Sequence, residues 1–591
     1  MAGVSVLAFI SFATTTRANV YATDIQINGS LYGITNTPTP ANPATITYRL
    51  NQAATAGVTV AILQGNTQVA TINGGTAMGL NTVLWGGTNG AGAAVSTGVT
   101  YSISITAKAN GFSFWTQISV DANAGMPAYY PLGIDVDKNT NSPYYGRVIM
   151  GCALNGGSAS SVPVAAQNAG LYKMNADGSQ ADEGWYGDAG YTTDDAGDTS
   201  SGTTMPTTSP PGFDPFIIRI GDDDRIYWCD NSDLGAIIAC DMKATTNQIV
   251  INESGYAKNP DFSDLDGGIE QFDVTGTTTT HPALWLCDMY DDYPNWGIWM
   301  YHMAGGVADP NDTKGTQAVQ AGSASDLYEG SSGGCMIDTN LDIFVSQDPL
   351  GNDAVLRTME YTNWNHGVLP PEAGGSGYAY GTTTGQVHWG LGTSDNTFCG
   401  VKDTVINSRT HPTMVALPMI LDHEGNNTAF GIRVLNATNG SVISVTNGVT
   451  VQSLTNMDYA NQYTSAAWDN VGNLYGASPT TNLWRVWSPP GGNTNTTVAV
   501  AQVVIPVPIT ITGITASPTS PGCATVTITF TAPANLASSA FRLLGSATVN
   551  GTYTTVGSVT FSGGSGTYQA TFTNCSTEFY LIEEPGHLNV D

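Results

Sequence analysis

Apolar and polar residues alternate along most of this chain. Ile46-Thr47-Tyr48-Arg49-Leu50, Tyr101-Ser102-Ile103-Ser104-Ile105 and Ala524-Thr525-Val526-Thr527-Ile528-Thr529-Phe530 each place every second residue on one apolar face. That period of two belongs to half-buried strands. The runs are separated by Gly, Asn, Asp and Pro, the residues that tight turns require. No long apolar stripe at the helical period of 3.6 interrupts them. The pattern predicts an all-β protein in three units: a sandwich over 24–122, a repeat region over 125–498 and a small sandwich over 506–583.

In the first unit, Ile46 to Leu50 is followed by Val58-Thr59-Val60, Asn81-Thr82-Val83-Leu84-Trp85, a Gly/Asn turn, and Val95-Ser96-Thr97-Gly98 leading to Tyr101. This order resembles the immunoglobulin-like (Ig-like) domain of flagellar hook-capping proteins, over about seventy residues. Gly86-Gly87 departs from the Asp-Gly common in that family. The resemblance implies a β-sandwich presented outside the cytoplasm, since the module serves widely as a spacer in secreted bacterial proteins. It does not imply flagellar function.

The middle unit repeats a strand, an Asp/Asn/Gly turn, an aromatic strand and a further apolar strand. Clear copies run from Phe216, Met336 and Ala467. Taking Ile149, Tyr227, Trp285, Phe344, Phe398 and Tyr475 as equivalent gives intervals of 78, 58, 59, 54 and 77 residues. Such spacing fits four-stranded blades, each of which completes its core against its neighbours around a ring. A β-propeller of six blades is expected, with seven as the alternative count. Asp469-Asn470-Val471-Gly472-Asn473-Leu474-Tyr475 resembles the blade turn of NHL-type six-bladed propellers.

The last unit follows Pro506 and Pro508 and is similar to a small fibronectin-like sandwich. It contains Cys523 and Cys575, for which a disulfide across the sandwich is expected. The other six cysteines lie in apolar, strand-like contexts and read as buried free thiols.

Composition narrows the functions. Seventeen Lys and Arg against forty-seven Asp and Glu give a net charge of −30, which excludes a basic nucleic-acid-binding face. Val4 to Phe12 is an apolar run too short to span a bilayer. Small residues then stand at the −3 and −1 positions of cuts after Ala18 or Ala22. Residues 1–22 therefore read as a secretory leader, which predicts a secreted, extracellular or cell-surface protein without a membrane span. Sequons of the form N-x-[ST], from Asn28 to Asn574, mark it as a candidate glycoprotein.

Carboxylates are the plentiful reactive groups. Asp135, Asp137, Asn139 and Asn141 alternate in a D-x-D-x-N-x-N segment that offers oxygen ligands to a hard cation, Ca2+. The segment lacks the glycine and glutamate of an EF-hand loop. Asp288, Asp291, Asp292 and Trp296 combine acids with an aromatic surface and form a carbohydrate-site candidate for a glycan. No H-E-x-x-H, G-x-S-x-G or phosphate-binding loop is present, so no catalytic residue and no organic cofactor is assigned.

Three functions follow in order. The first is a non-enzymatic structural protein, the repeating subunit of a fibre or layer that self-associates through sandwich edges. On this reading Tyr21 to Asn28 (YATDIQIN) is a segment able to dock on a neighbour. The second is a monomeric propeller that binds glycans or peptides, and the third is a carboxylate-based polysaccharide hydrolase or lyase.

Overall fold

The computed structural model describes residues 19–152, 169–187, 215–230, 236–251, 271–277, 280–288, 297–308, 316–320, 332–340, 342–347, 354–358, 378–379, 387–392, 401, 403–420, 431–445, 456–507, 509–534, 536–548, 552–575 and 579–583. It is all-β. Among these residues the only helical element is the short turn Ser538–Ala540.

Among the described residues six sheets form a ring, antiparallel except for the outermost pair of the third, Thr316–Gln320 with Tyr378–Ala379. Their inner strands are Pro131–Val136, Pro215–Ile220, Gln271–Thr277, Ser332–Ile337, Val405–Ile406 and Ser465–Trp468. Each inner strand packs on the next, and the sixth packs on the first, so the ring closes as a six-bladed propeller. The inner strands are the most buried because blades flank them on both sides; Pro131–Val136 and Ser465–Trp468 are buried throughout. Apolar clusters bridge neighbouring blades, such as Val136, Val148 and Tyr172 of blade 1 with Tyr475 and Trp484 of blade 6. The approach is close. A Cβ at Gly133 would overlap the carbonyl oxygen of Phe216 in the next blade, so only glycine fits.

Ile149, Tyr227, Trp285, Phe344 and Tyr475 all lie on the second strands of their blades. The fifth marker differs. Phe398 lies outside the described residues, and the second strand of blade 5 is Met414–Met419.

Two boundaries also differ from the sequence reading. The fourth strand of blade 6 is Thr116–Gln117, which comes from ahead of the ring and pairs with Leu483–Ser488. Residues Gly491–Ile505 leave the ring altogether and join the N-terminal sandwich. They pair antiparallel with Val99–Phe112 and parallel with Gly33–Thr35. This sandwich therefore stacks the sheet Ala22–Ile27, Ala44–Leu50, Gly79–Trp85 on a five-stranded sheet. Its core combines Ile46, Tyr48 and Trp85 with Ala501, Val503 and Ile505 from more than 400 residues away. Gly33 sits at φ +108° against Gln502, where a Cβ would collide with the Gln502 backbone.

The strand Ala22–Ile27 is buried and paired with Ala44–Leu50 of its own sheet. The docking role expected for Tyr21 to Asn28 is thereby corrected, because the segment is already paired within its own chain and its side chains are mostly buried. Val20 and Tyr21 are buried as well. The Asn19 carbonyl accepts hydrogen bonds from Asn51 Nδ2 and Asn473 Nδ2, each at 2.9 Å. Loss of residues 1–22 would remove these contacts, and loss of residues 1–18 would not. Polar contacts fix the sandwich to the ring: Arg49, held within the sandwich by Asp24 at 3.1 Å, reaches Asp177 at 3.4 Å and Asp182 at 2.9 Å in blade 1.

The C-terminal sandwich has a four-stranded sheet in the order Thr510–Ser520, Cys523–Thr531, Thr567–Asn574, Thr560–Gly564. It faces a three-stranded one made of Thr554–Thr555, Arg542–Ser546 and Phe579–Glu583. Phe530, Phe541 and Tyr568 fill the space between them. Cys523 and Cys575 form a disulfide. It joins the ends of two adjacent strands in one sheet, beside the Ala524–Asn574 pair, and does not cross between the sheets as expected. Cys152, Cys229, Cys240, Cys287 and Cys335 are buried and form no disulfide; Cys399 lies outside the described residues.

Candidate functional site

Three aspartates stand on the inner strands of alternate blades or directly before them: Asp135, Asp273 and Asp403. Each makes the same pair of contacts. One oxygen accepts the N–H of the following residue, Val136 at 2.8 Å, Val274 at 2.9 Å and Thr404 at 2.8 Å. The other reaches the next blade, where it accepts Ile220 N–H at 2.7 Å, Ile337 N–H at 2.9 Å and the Ser465 hydroxyl at 2.9 Å. Blades 1, 3 and 5 are thus stapled to blades 2, 4 and 6.

Every staple also has a cation. Lys138 Nζ lies 3.0 Å from Asp135. Arg409 holds Asp273 through both nitrogens, at 2.7 and 2.6 Å, and donates further to the Ile337 and Val274 carbonyls. Arg219, on blade 2, reaches Asp403 at the opposite side of the ring at 2.5 and 3.2 Å. Both partners are almost fully buried. Burial alone disfavours the charged guanidinium, but Asp403 overrides it and holds the Arg219 pKa above its ordinary value. Charge-assisted, two-point contacts of this kind are strong and directional.

The chemistry of this axis is structural. Acid–base catalysis on a glycoside needs two carboxylates facing a bond across ~5–10 Å. Asp135, Asp273 and Asp403 are instead each occupied by backbone or hydroxyl donors and a cation.

A second cluster lies where the first turn of blade 1 meets that of blade 2. Asp137 is buried. Its Oδ1 accepts Asn139 N–H at 2.8 Å, while Oδ2 is buried with no hydrogen bond of normal geometry. Asn139 Nδ2 donates to Asp224 Oδ1 at 2.8 Å. The Ser142 hydroxyl interacts with both carboxylates. Burial pushes Asp137 up to about 7 against these hydrogen bonds, and Asp224 and Asp135 add to the rise. Asp224 is raised too, by burial and by Asp223 and Asp222.

The turns of blades 4 and 6 use the same kind of aspartate contact, and blade 6 supplies the contrast. Asp338 Oδ1 accepts the N–H groups of Asn340 and Asp342, and Asp469 Oδ1 those of Val471 and Asn473. These are Asx-type turns. Asp469 Oδ2 then receives Asn473 Nδ2 at 2.6 Å and Tyr475 OH at 3.2 Å. The equivalent oxygen of Asp137 receives neither kind of donor.

Of the four cation ligands expected from sequence, the structure brings Asp137 and Asn139 together and adds Asp224 and Ser142. Asp135 is committed to the blade 1–blade 2 staple and Lys138. Asn141 is exposed, with its N–H on Asn139 Oδ1. Among the described residues no three His, Cys, Asp or Glu side chains converge as a metal-binding group. Of the carbohydrate candidates, Asp288 ends the strand Thr280–Asp288; its side chain and Asp291, Asp292 and Trp296 lie outside the described residues. Arg219, Asp273, Asp403 and Arg409 were not singled out by sequence reasoning. The available signal was a lone charge inside an apolar strand, as in Phe216-Ile217-Ile218-Arg219-Ile220.

No protein-family profile matches the sequence, and no curated protein matches it. Solved structures are similar at low level. A structural-genomics protein of unknown function from Bacteroides thetaiotaomicron aligns at 10% identity and TM-score 0.32, covering 80% of this chain and 98% of that one. The soluble aldose sugar dehydrogenase of Escherichia coli aligns at 10% identity and TM-score 0.33, covering 63% and 98%. Regucalcin from Agrobacterium tumefaciens, a calcium-binding protein, aligns at 12% identity and TM-score 0.32, covering 62% and 95%.

Proposed function

We propose that this protein is a non-enzymatic extracellular structural subunit that self-associates through its C-terminal sandwich. The observation that carries the reading is the strand Thr510–Ser520. It is an edge strand, exposed at every position. Ile511 pairs with Phe530 and Ile514 with Ile528, and cross-strand partners share a sheet face. Phe530 and Ile528 are core residues, yet Ile511 and Ile514 on the same face are 40% and 59% exposed. An apolar inner face is therefore left uncovered beside an open edge, the arrangement that templates pairing with another strand.

A second copy of the chain is the occupant that the charge distribution favours. Within 506–583 the formal charges are Arg542, Glu578 and Glu583, a net of −1, while the whole chain carries −30. Two copies meeting through this sandwich avoid the self-repulsion that the strongly acidic ring would meet. The disulfide supports an oxidising, exported location, and the occupied carboxylates of the axis support a role other than catalysis.

The test is light scattering across a concentration series of the purified full chain, with electron microscopy of the same samples. Oligomers or filaments are expected for the wild type. Ile514→Lys should give monomers with unchanged melting temperature. A wild type that stays monomeric at every concentration, or an Ile514→Lys variant that assembles equally well, would overturn the proposal.

A further inference from the structure

We infer that the joined turns of blades 1 and 2 hold a calcium ion, with Asp137 and Asp224 as its carboxylates and Asn139 and Ser142 supplying further oxygens. The argument starts from the orphaned Asp137 Oδ2. A buried carboxylate oxygen that accepts nothing is costly, because its lost hydration has no replacement. The same fold position in blade 6 is fully satisfied by Asn473 and Tyr475. Blade 1 replaces that short turn with the longer segment between Val136 and Val148, and the segment brings a second carboxylate within reach.

Among the described residues no side-chain cation is directed at Asp137. The Lys138 ammonium is on Asp135, Arg147 is paired with Glu183, and Arg225 is spent on the Gly306 carbonyl, Gln248 and Tyr227. The acids outnumber them: Asp222 and Asp223 adjoin Asp224, and a buried Asp223 oxygen also lacks a partner. The donors at the cluster are all oxygens, with no His or Cys, which selects a hard cation. Two carboxylates, an amide, a hydroxyl and nearby backbone carbonyls, completed by water, match the flexible six-to-eight-oxygen shell of calcium. Magnesium requires a smaller, near-octahedral one.

A cation here would do mechanical work. It ties the first turn of blade 1 to that of blade 2 on the outside of the Asp135–Ile220 staple, so the same blade junction is pinned twice.

The experiment uses the full chain freed of metal with a chelator. Calcium alone is then titrated by calorimetry, with thermal unfolding measured beside it. One calcium per chain is expected, with a dissociation constant on the order of 10⁻⁴–10⁻³ M as in extracellular modules, and a rise in melting temperature that magnesium does not reproduce. Asp137→Asn and Asp224→Asn should each weaken binding by about tenfold or more and lose the calcium-dependent rise. Without calcium, Asp137→Asn should melt no lower than the wild type, since it replaces an uncompensated carboxylate with a neutral isostere. If that variant does not fold, Asp224→Asn decides the matter alone. Asp241→Asn, on the outer strands of blade 2, should respond as the wild type does. Absence of heat and of stabilisation up to about 10 mM calcium would overturn the inference. So would a calcium response retained in the Asp224→Asn variant, or an equal response to magnesium.

Discussion

The two sandwiches are built alike and end differently. Both stack two antiparallel sheets over an aromatic and β-branched core. The N-terminal one imports Gly491–Ile505 from beyond the ring and buries it in the middle of a five-stranded sheet. The C-terminal one leaves Thr510–Ser520 open along its whole length. Only four residues separate the end of the strand that completes the first sandwich from the start of the one left open in the second. The difference teaches that edge exposure here follows position in the assembly and not local sequence. Both strands are rich in Val, Ile and Thr, and one of them simply has a partner.

The comparison breaks most sharply at Val503. It is fully buried in the imported strand, and Val503→Asp would place an unpaired charge in that core. A loss of more than about 4 kcal/mol is expected, in the range that single substitutions rarely reach. Denaturant unfolding followed by tryptophan fluorescence would show it. A stable Val503→Asp protein would mean that the imported strand is dispensable. The same kind of change at the open strand, Ile514→Lys, leaves folding intact.

The ring's own closure is the next most sensitive place. Asp403→Ala removes a carboxylate from Arg219 while leaving the guanidinium buried, at an expected loss of about 3–5 kcal/mol. A paired Arg219→Met, Asp403→Leu variant should recover much of it, because replacing a whole buried ion pair by apolar groups is often neutral. Equal losses in the single and the double variant would show that the pair is not the closing contact.

The smallest effect is expected from reducing the Cys523–Cys575 disulfide. Its sequence separation of 52 residues sets an upper figure of about 4 kcal/mol in the chain-entropy picture, and typical losses run about 2–4 kcal/mol. The loss should fall on the C-terminal sandwich alone, lowering a separate unfolding transition in calorimetry and leaving that of the ring in place. A single transition that shifts as a whole would instead couple the open sandwich to the rest of the chain.

Much of the architecture was legible because it rests on local alternation. Ile149, Tyr227, Trp285, Phe344 and Tyr475 marked their blades correctly, since a second strand carries large side chains at a fixed step from a turn. Thr116–Gln117 was not legible: two polar residues have no period, and their role comes from lying beside Leu483–Ser488. Gly491–Ile505 was not legible as a sandwich strand: residues up to 498 fell within the expected ring, because alternation says nothing about which sheet a strand joins. For the candidate site, Asp137 and Asn139 stood out through their spacing. Asp224 did not, because its relation to them is set by the packing of blade 2 on blade 1. Arg219 and Asp403 are 184 residues apart and meet only once six blades have closed.

The pairing of Val99–Phe112 with Gly491–Ile505 has a mechanical meaning. These two strands lie side by side like the arms of a hairpin, and the whole ring, from Thr116 to Ser488, is the loop between them. Tension carried along the chain from residue 20 to residue 505 is met within the sandwich, where Val99 and Ile505 pair at the open end of those arms. The ring hangs off that load path and feels no stretch until the arms unzip. A polymer strung through such units would extend and recoil at its sandwiches while each propeller kept its shape.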